Sequence, residues 1–150
     1  MHKTVLSDIE IAQKADADGV HLGLTDDSVA EARKALGPSK IIGGTANTLE
    51  DVLQRIAEKC DYVGLGPLRF TPTKEKLSPL LGFEGYQRIA KELESAGLSI
   101  PIYAIGGIVQ NDVELLKKTG IYGIAVSGMI SESADRTTLI NEINQTLNYV

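Results

Sequence analysis

Short runs rich in β-forming residues alternate with amphipathic runs of helical period along the chain, and short joints connect them. Strands are predicted over 3–6, 19–22, 40–43, 62–65, 100–105 and 123–126. Helices are predicted over 8–15, 28–36, 49–59, 82–96, 111–119 and 137–147. This alternation implies parallel strands joined by right-handed crossovers. Two α/β architectures satisfy it, an open doubly wound sheet and a (β/α)8 TIM-barrel type.

Glycines favour the barrel. They cluster where predicted strands end, at Gly23, Gly43-Gly44, Gly64, Gly66, Gly106-Gly107 and Gly128. Ligands bind at the carboxyl ends of the strands in both architectures, but only in a barrel do all those ends converge on one centre. The expectation is an incomplete barrel of about six strand-helix units, forming one domain over residues 1–150.

Several helix ends carry local signals. Thr48 and Asn111 are predicted to cap the third and fifth helices, because their side-chain oxygens can accept from free backbone amides. Gly37, Gly97 and Gly120 lie just past predicted helix ends, where a left-handed backbone is often needed.

Composition excludes several classes of function. The hydrophobic fraction of 43% and charged fraction of 23% are typical of a globular domain. The net charge of −5 argues against a nucleic-acid partner held by electrostatics. The single cysteine excludes an intramolecular disulfide. Neither a signal peptide nor a long apolar run is found, so we expect a cytoplasmic protein without a membrane partner.

Polar residues follow the second and third predicted strands. Asp26 and Asp27 are paired acids, and Asp26 is a candidate ligand for Mg²⁺, which prefers oxygen donors. Alternatively, Asp27 or Ser28 only caps the next helix. Thr45 could donate to a phosphate, although an ordinary turn with a helix cap would use the same residues.

The fourth predicted strand leads into a Gly-Pro turn and then a loop with Thr71, Thr73 and Lys74. Hydroxyl and amide donors beside a mobile positive charge are typical of an anion-binding loop. The alternative is a solvated loop without a ligand.

The last two strands end in Gly106-Gly107 and Ser127-Gly128. In many barrels the loops after the final strands bind phosphate through backbone amides. His21 lies in the middle of the second predicted strand. It could act as a general base, but a structural, hydrogen-bonded histidine is favoured.

These motifs together resemble thiamine-phosphate synthase and its relative, the thiazole tautomerase. The matching segments are Ala17–Gly23, Lys40–Gly43, Asp61–Pro67 with Thr71, Thr73 and Lys74, Ala104–Ile108 and Gly123–Ser127. The resemblance implies a transferase of thiamine biosynthesis that couples hydroxymethylpyrimidine pyrophosphate to thiazole phosphate and releases pyrophosphate.

The resemblance also implies roles for individual residues. Asp26 would bind Mg²⁺, and Thr45, where the family usually has serine, would contact the pyrimidine pyrophosphate. Lys74 would be the catalytic contact to the pyrophosphate. The thiazole phosphate would be bound by Thr71, Thr73, Gly107, Ser127 and Gly128.

The sequence departs from the family pattern in ways that leave alternatives. The first two strand-helix units of the family lack counterparts, so we expect a fragment, a shortened product, or a chain completed by a partner or homo-oligomer. Leu24 replaces the usual glutamine, and Asp8 could replace a missing metal ligand. The tautomerase is disfavoured because Asn47 stands where that branch needs histidine. A non-catalytic protein that binds phosphorylated ligands is the remaining alternative.

Overall fold

The computed structural model describes residues 3–70 and 80–147. The chain divides into two compact units. The first unit is Met1–Leu65 and the second unit is Gly66–Val150. None of the helices in the described ranges has the length and apolar character needed to cross a bilayer.

The first unit consists of parallel strands with helices between them. Its elements are β1 (Thr4–Leu6), α1 (Ile9–Lys14), β2 (Gly19–Leu22), α2 (Val29–Leu36), β3 (Ile41–Ala46), α3 (Leu49–Ala57) and β4 (Tyr62–Leu65). β1 pairs with β2, β2 with β3 and β3 with β4, all in parallel. Its buried apolar residues include Val20, Leu22, Val29, Ile42, Val52, Val63 and Leu65.

The second unit contains α4 (Gly82–Ser95), β5 (Ile102–Ile105), α5 (Val113–Lys117), β6 (Gly123–Ala125), α6 (Gly128–Ser131) and α7 (Arg136–Leu147). β5 and β6 pair in parallel. Val113, Leu139 and Ile143 form a buried cluster, against which Ile124, Met129, Ile130 and Leu147 pack.

β3 is longer than the sequence predicted, because it continues past Gly43 to Ala46. Thr45 and Ala46 pair with Gly64 and Leu65 of β4, so the strand continues beyond Gly43 and Gly44. Thr45 therefore lies in a strand and not in the following loop.

β5 begins at Ile102, two residues later than predicted. Pro101 precedes it, and a proline cannot donate to a ladder hydrogen bond.

The predicted helix over 111–119 was wrong at its start. A 3₁₀ turn covers Gln110–Asp112, and α5 follows it. Asp112, and not Asn111, accepts a backbone amide at this turn, from Val109 at 2.8 Å. The short helix α6 was not predicted.

Other predicted helix ends are confirmed. Thr48 caps α3, because its side chain accepts from the Asp51 amide while Asp51 bonds back to Thr48. Gly37, Gly97 and Gly120 have φ of 89°, 65° and 85°, the left-handed region that glycine adopts without strain.

Candidate functional site

A row of three residues crosses the first unit at the centre of its sheet. The register aligns His21 of β2 with Gly43 of β3, and Gly43 with Tyr62 of β4. Because Gly43 has no side chain, the Tyr62 ring lies over it and its hydroxyl reaches His21 Nδ1 at 2.9 Å. A Cβ at Gly43 would lie 2.1 Å from Tyr62 Cζ, so only glycine permits this contact.

Thr45 joins the same cluster from the strand position two residues after Gly43. Side chains two apart on a strand share one face of the sheet. His21 Nε2 lies 3.0 Å from Thr45 Oγ1, so both ring nitrogens of His21 have hydrogen-bond partners. The prediction of a hydrogen-bonded histidine in mid-strand is confirmed.

The electrostatic surroundings keep His21 neutral. Burial lowers the pKa of its imidazole, the nearby Arg55 charge lowers it further, and Asp26 raises it by less. A neutral imidazole donates from one nitrogen and accepts at the other. His21 can therefore relay one hydrogen bond from Tyr62 to Thr45, or from Thr45 to Tyr62.

Arg55 of α3 and Tyr62 are the residues of this site that the sequence reading missed. The Arg55 side chain is buried, and Nε donates to the Thr45 carbonyl at 3.1 Å while Nη2 donates to the Gly23 carbonyl at 2.9 Å. It thereby ties the ends of β2 and β3 together. The available signal was its position three residues after the buried Val52, which places a charged residue on the core side of the helix.

Asp26 lies in the loop after β2. Its carboxylate accepts from the Gly23 amide at 2.6 Å, and this bond, followed by one from Ser7, holds the pKa of Asp26 below its usual value. It is exposed and ionised at neutral pH. Within residues 3–70 and 80–147, no group of three or more His, Cys, Asp or Glu side chains is arranged to hold a metal.

The neighbouring acids and hydroxyls are helix caps. Ser28 forms a capping box with Glu31 at the start of α2, in line with the alternative that this segment caps a helix. Asp8 accepts from the Ile11 amide at 2.8 Å and caps α1.

In the second unit, Gly106 and Gly107 follow β5 with φ of 82° and 70°. The Leu68 amide donates to the Gly106 carbonyl at 3.0 Å, and the Arg69 guanidinium donates to the Gly107 carbonyl at 2.7 Å. Both glycines are required, because a Cβ at Gly106 would lie 2.7 Å from Pro67 Cβ and one at Gly107 would lie 2.5 Å from Arg69 Cγ.

Ser127 and Gly128 follow β6, and Gly128 begins α6. Because β5 and β6 are parallel neighbours, this loop and the Gly106-Gly107 loop leave the same edge of the sheet. The two predicted phosphate-contacting segments are therefore brought to one side of the second unit.

Arg69 and Asp112 were also missed by the sequence reading. Arg69 Nη1 and Nη2 contact the two carboxylate oxygens of Asp112 at 2.5 and 2.8 Å. The pKa of Asp112 is lowered, chiefly by this pair. No sequence pattern pairs residues 43 positions apart, so only the tertiary structure identifies them.

Thr71, Thr73 and Lys74 lie outside the described residues, and their roles stay predictions. The flanks of that segment are joined, since the Leu81 amide donates to the Pro67 carbonyl and the Gly82 amide to the Leu68 carbonyl, each at 3.1 Å.

Comparison with known proteins defines the class of this protein. A solved structure of thiamine phosphate pyrophosphorylase from Pyrococcus furiosus matches 97% of this chain and 67% of that chain, with a TM-score of 0.83 and 29% identity. The parallel strands, helical crossovers and strand-end polar groups are those of an α/β protein of the (β/α)8 TIM-barrel type. The predicted fold class is confirmed.

The family follows from sequence. A family model described as Thiamine monophosphate synthase matches residues 3–130, and the chain belongs to that family. A thiamine-phosphate synthase from Flavobacterium psychrophilum is 58% identical over 139 residues, which are 93% of this chain and 68% of the relative. Another from Flavobacterium johnsoniae is 53% identical over 137 residues, which are 91% and 65%. The predicted resemblance to this class of transferase is confirmed, and the chain spans about two thirds of the length of these relatives.

Proposed function

We propose that this chain takes part in the transferase reaction of its family, coupling hydroxymethylpyrimidine pyrophosphate to thiazole phosphate and releasing pyrophosphate. The observation that carries the proposal is the pair of strand-end loops at Gly106-Gly107 and Ser127-Gly128, which leave one edge of the second unit. Membership of the family supplies the substrates that these loops would bind.

The second unit would bind the thiazole phosphate. Backbone amides near Gly107 and Gly128 suit a phosphate, because amide donors attract anions without a charged side chain. Hydroxyl groups of Ser127, Thr71 and Thr73 would add further donors.

The first unit would bind the pyrimidine pyrophosphate through Thr45. In one His21 tautomer, the Tyr62 hydroxyl donates to Nδ1 and Nε2–H donates to Thr45 Oγ1. The Thr45 hydroxyl hydrogen is then available to a phosphate oxygen. We propose this tautomer for the bound state.

Asp26 suits Mg²⁺ because it is an exposed, ionised carboxylate, and Mg²⁺ often takes only one or two carboxylates together with substrate phosphates. Bound Mg²⁺ would stabilise the negative charge on the departing pyrophosphate.

The proposed reaction depends little on general acid–base catalysis. Breaking the carbon–oxygen bond to pyrophosphate leaves a pyrimidine cation, which the thiazole then captures. Lys74 would stabilise the charge of the leaving pyrophosphate, which is electrostatic catalysis. No general base is required in this scheme, in agreement with a His21 whose two nitrogens are already hydrogen-bonded.

The test is a Mg²⁺-dependent assay for thiamine phosphate with both substrates. We expect product from the wild-type chain and a large loss of kcat in Lys74→Ala without a comparable loss of stability. Lys118→Ala is the matched control, since Lys118 is an exposed lysine of the same unit whose ion pair within the described residues is with Glu114. Product formation at the wild-type rate in Lys74→Ala would contradict the role of Lys74.

The alternatives predict other results. A non-catalytic binding protein would bind thiazole phosphate in calorimetry but form no product with both substrates present. The thiazole tautomerase is disfavoured further by Asn47, which is buried and donates to the Ala46 carbonyl at 3.2 Å.

The same proposal includes a cytoplasmic location and the absence of nucleic-acid and membrane partners. It also includes a completing chain or a homo-oligomer. Leu6 of the outer strand β1 is 72% exposed, and such an edge can accept a further strand. Light scattering during the assay tests this: an active monomer would contradict the need for a completing chain.

A further inference from the structure

The loop of Gly106 and Gly107 is held by a pair of side chains that the reaction scheme does not use. Asp112 is 5% exposed, and its carboxylate accepts both from Arg69 and from the Val109 amide at 2.8 Å. The same Arg69 guanidinium donates to the Gly107 carbonyl at 2.7 Å. Arg69 Nη1 thus donates both to the buried carboxylate and to the loop carbonyl, while Nη2 donates to the carboxylate alone.

Both carbonyls of the glycine pair are bound on one side of the loop. Gly106 accepts from the Leu68 amide at 3.0 Å, and Gly107 accepts from Arg69. A trans peptide is planar, and its N–H points opposite to its C=O. The amides of Gly107 and Ile108, which share peptides with these two carbonyls, therefore point away from the Leu68-Arg69 segment.

Those two amides have no acceptor in the described part of the chain. Consecutive amides that point the same way form a concave site for an anion. The orientation of this pair depends on Arg69, because Arg69 supplies the contact to the Gly107 carbonyl.

We propose that Arg69 and Asp112 are positioning residues for phosphate binding: Asp112 orients Arg69, and Arg69 holds the Gly107–Ile108 peptide so that its amide faces the thiazole phosphate. This inference rests on the proposed function of the second unit. Arg69 itself contacts the carbonyl side of the loop and does not touch the phosphate.

The guanidinium is essential to this role. A lysine at position 69 keeps the charge but has no planar fork that can serve two carboxylate oxygens and a carbonyl together. Arg33 of the first unit is a matched control, because it also bridges a carboxylate, Asp61 at 2.8 Å, and a backbone carbonyl, that of Lys40 at 2.6 Å.

The experiment uses the full chain with the variants Arg69→Lys, Asp112→Asn and Arg33→Lys. We expect Arg69→Lys to weaken thiazole phosphate binding about tenfold in calorimetry, the effect of losing one well-formed charge-assisted hydrogen bond. The KM for thiazole phosphate should rise while that for the pyrimidine pyrophosphate stays within about twofold of wild type. Arg33→Lys should change neither. The two residues act through one contact, so their effects should not add. The double variant Arg69→Lys/Asp112→Asn should therefore bind thiazole phosphate no more weakly than whichever single variant binds it less well.

Backbone ¹⁵N relaxation gives a second measurement that needs no ligand. Greater mobility of the Gly107 and Ile108 amides in Arg69→Lys, with α4 unchanged, would support the positioning role. Equal mobility there, or equal thiazole phosphate affinity in a wild type that binds it, would overturn it. If the wild type binds no thiazole phosphate and forms no product, the proposed function fails, and the relaxation result alone decides whether Arg69 positions the loop.

Discussion

In the first unit the polar groups near the ends of β2 and β3 are side chains, whereas in the second unit the loops after β5 and β6 present mainly backbone. His21, Tyr62 and Thr45 form a hydrogen-bonded chain, with contacts of 2.9 and 3.0 Å. The Gly106-Gly107 loop instead has its carbonyls bound by Leu68 and Arg69.

The two sites nevertheless share a design. Each depends on a glycine that makes room for a long side chain: Gly43 for the Tyr62 ring and Gly107 for Arg69. Each is also braced by an arginine that donates to backbone carbonyls, Arg55 in the first unit and Arg69 in the second. The two units differ in the groups that can face a ligand. The first unit offers the Thr45 hydroxyl, and the second unit offers backbone amides.

The largest expected effect comes from filling the space at Gly43. In Gly43→Ala the new Cβ would lie 2.1 Å from Tyr62 Cζ, so the ring must move and the His21 contact is lost. We expect the free energy of unfolding to fall by about 3 kcal/mol, the upper end for overpacking. Gly128→Ala is the control, since a Cβ there would meet only Glu132 Oε1 at 3.5 Å. Chemical denaturation of both variants measures the difference, and equal stability would show that the Tyr62 ring moves freely.

The next effect tests the glycine of the second unit. Gly107→Val combines a φ of 70° with a Cβ only 2.5 Å from Arg69 Cγ, so it should cost about 2 kcal/mol of stability and weaken thiazole phosphate binding. The added side chain would act by displacing Arg69 from the loop. Gly37→Val is the control, because Gly37 also has a positive φ but a Cβ there would meet nothing within 4 Å. It should leave thiazole phosphate affinity, measured by calorimetry, unchanged.

A smaller effect separates the two sites functionally. Tyr62→Phe removes the hydroxyl that contacts His21 Nδ1, which should cost about 1 kcal/mol of stability. The KM for the pyrimidine pyrophosphate should rise, while thiazole phosphate affinity should remain that of wild type. Steady-state kinetics with each substrate varied in turn provides the measurement. A change confined to thiazole phosphate would break the assignment of one substrate to each unit.

The smallest effect is a pH dependence of stability. The pKa of His21 is lowered in the folded state, chiefly by burial, so below the ordinary value of 6.5 the unfolded chain binds more protons at this residue. Stability contributed by His21 is thus present above pH 6.5 and is lost as the pH falls from there towards the folded pKa. Urea denaturation of wild type and His21→Gln at several pH values should show a steeper loss for wild type. Parallel curves would contradict the lowered pKa.

Sequence reasoning predicted the fold, and its candidate site residues remain predictions. The alternation of strands and helices and the Thr48 cap are local signals, and both were confirmed. Gly43 and Gly44 were predicted at a strand end but lie within β3. Asp26, Thr45, Gly107, Ser127 and Gly128 remain predicted ligand contacts, although the structure places each at or near the carboxyl end of its strand.

The amino-acid sequence by itself determined the element types and the parallel pairing of the strands, because periodicity and turn residues act over a few positions. Only the tertiary structure decided that Tyr62 reaches His21 across Gly43, that Arg55 joins two strand ends, and that Arg69 meets Asp112. Those contacts join residues far apart in the chain, and they depend on strand register and on the space that a missing Cβ leaves, which no local pattern specifies.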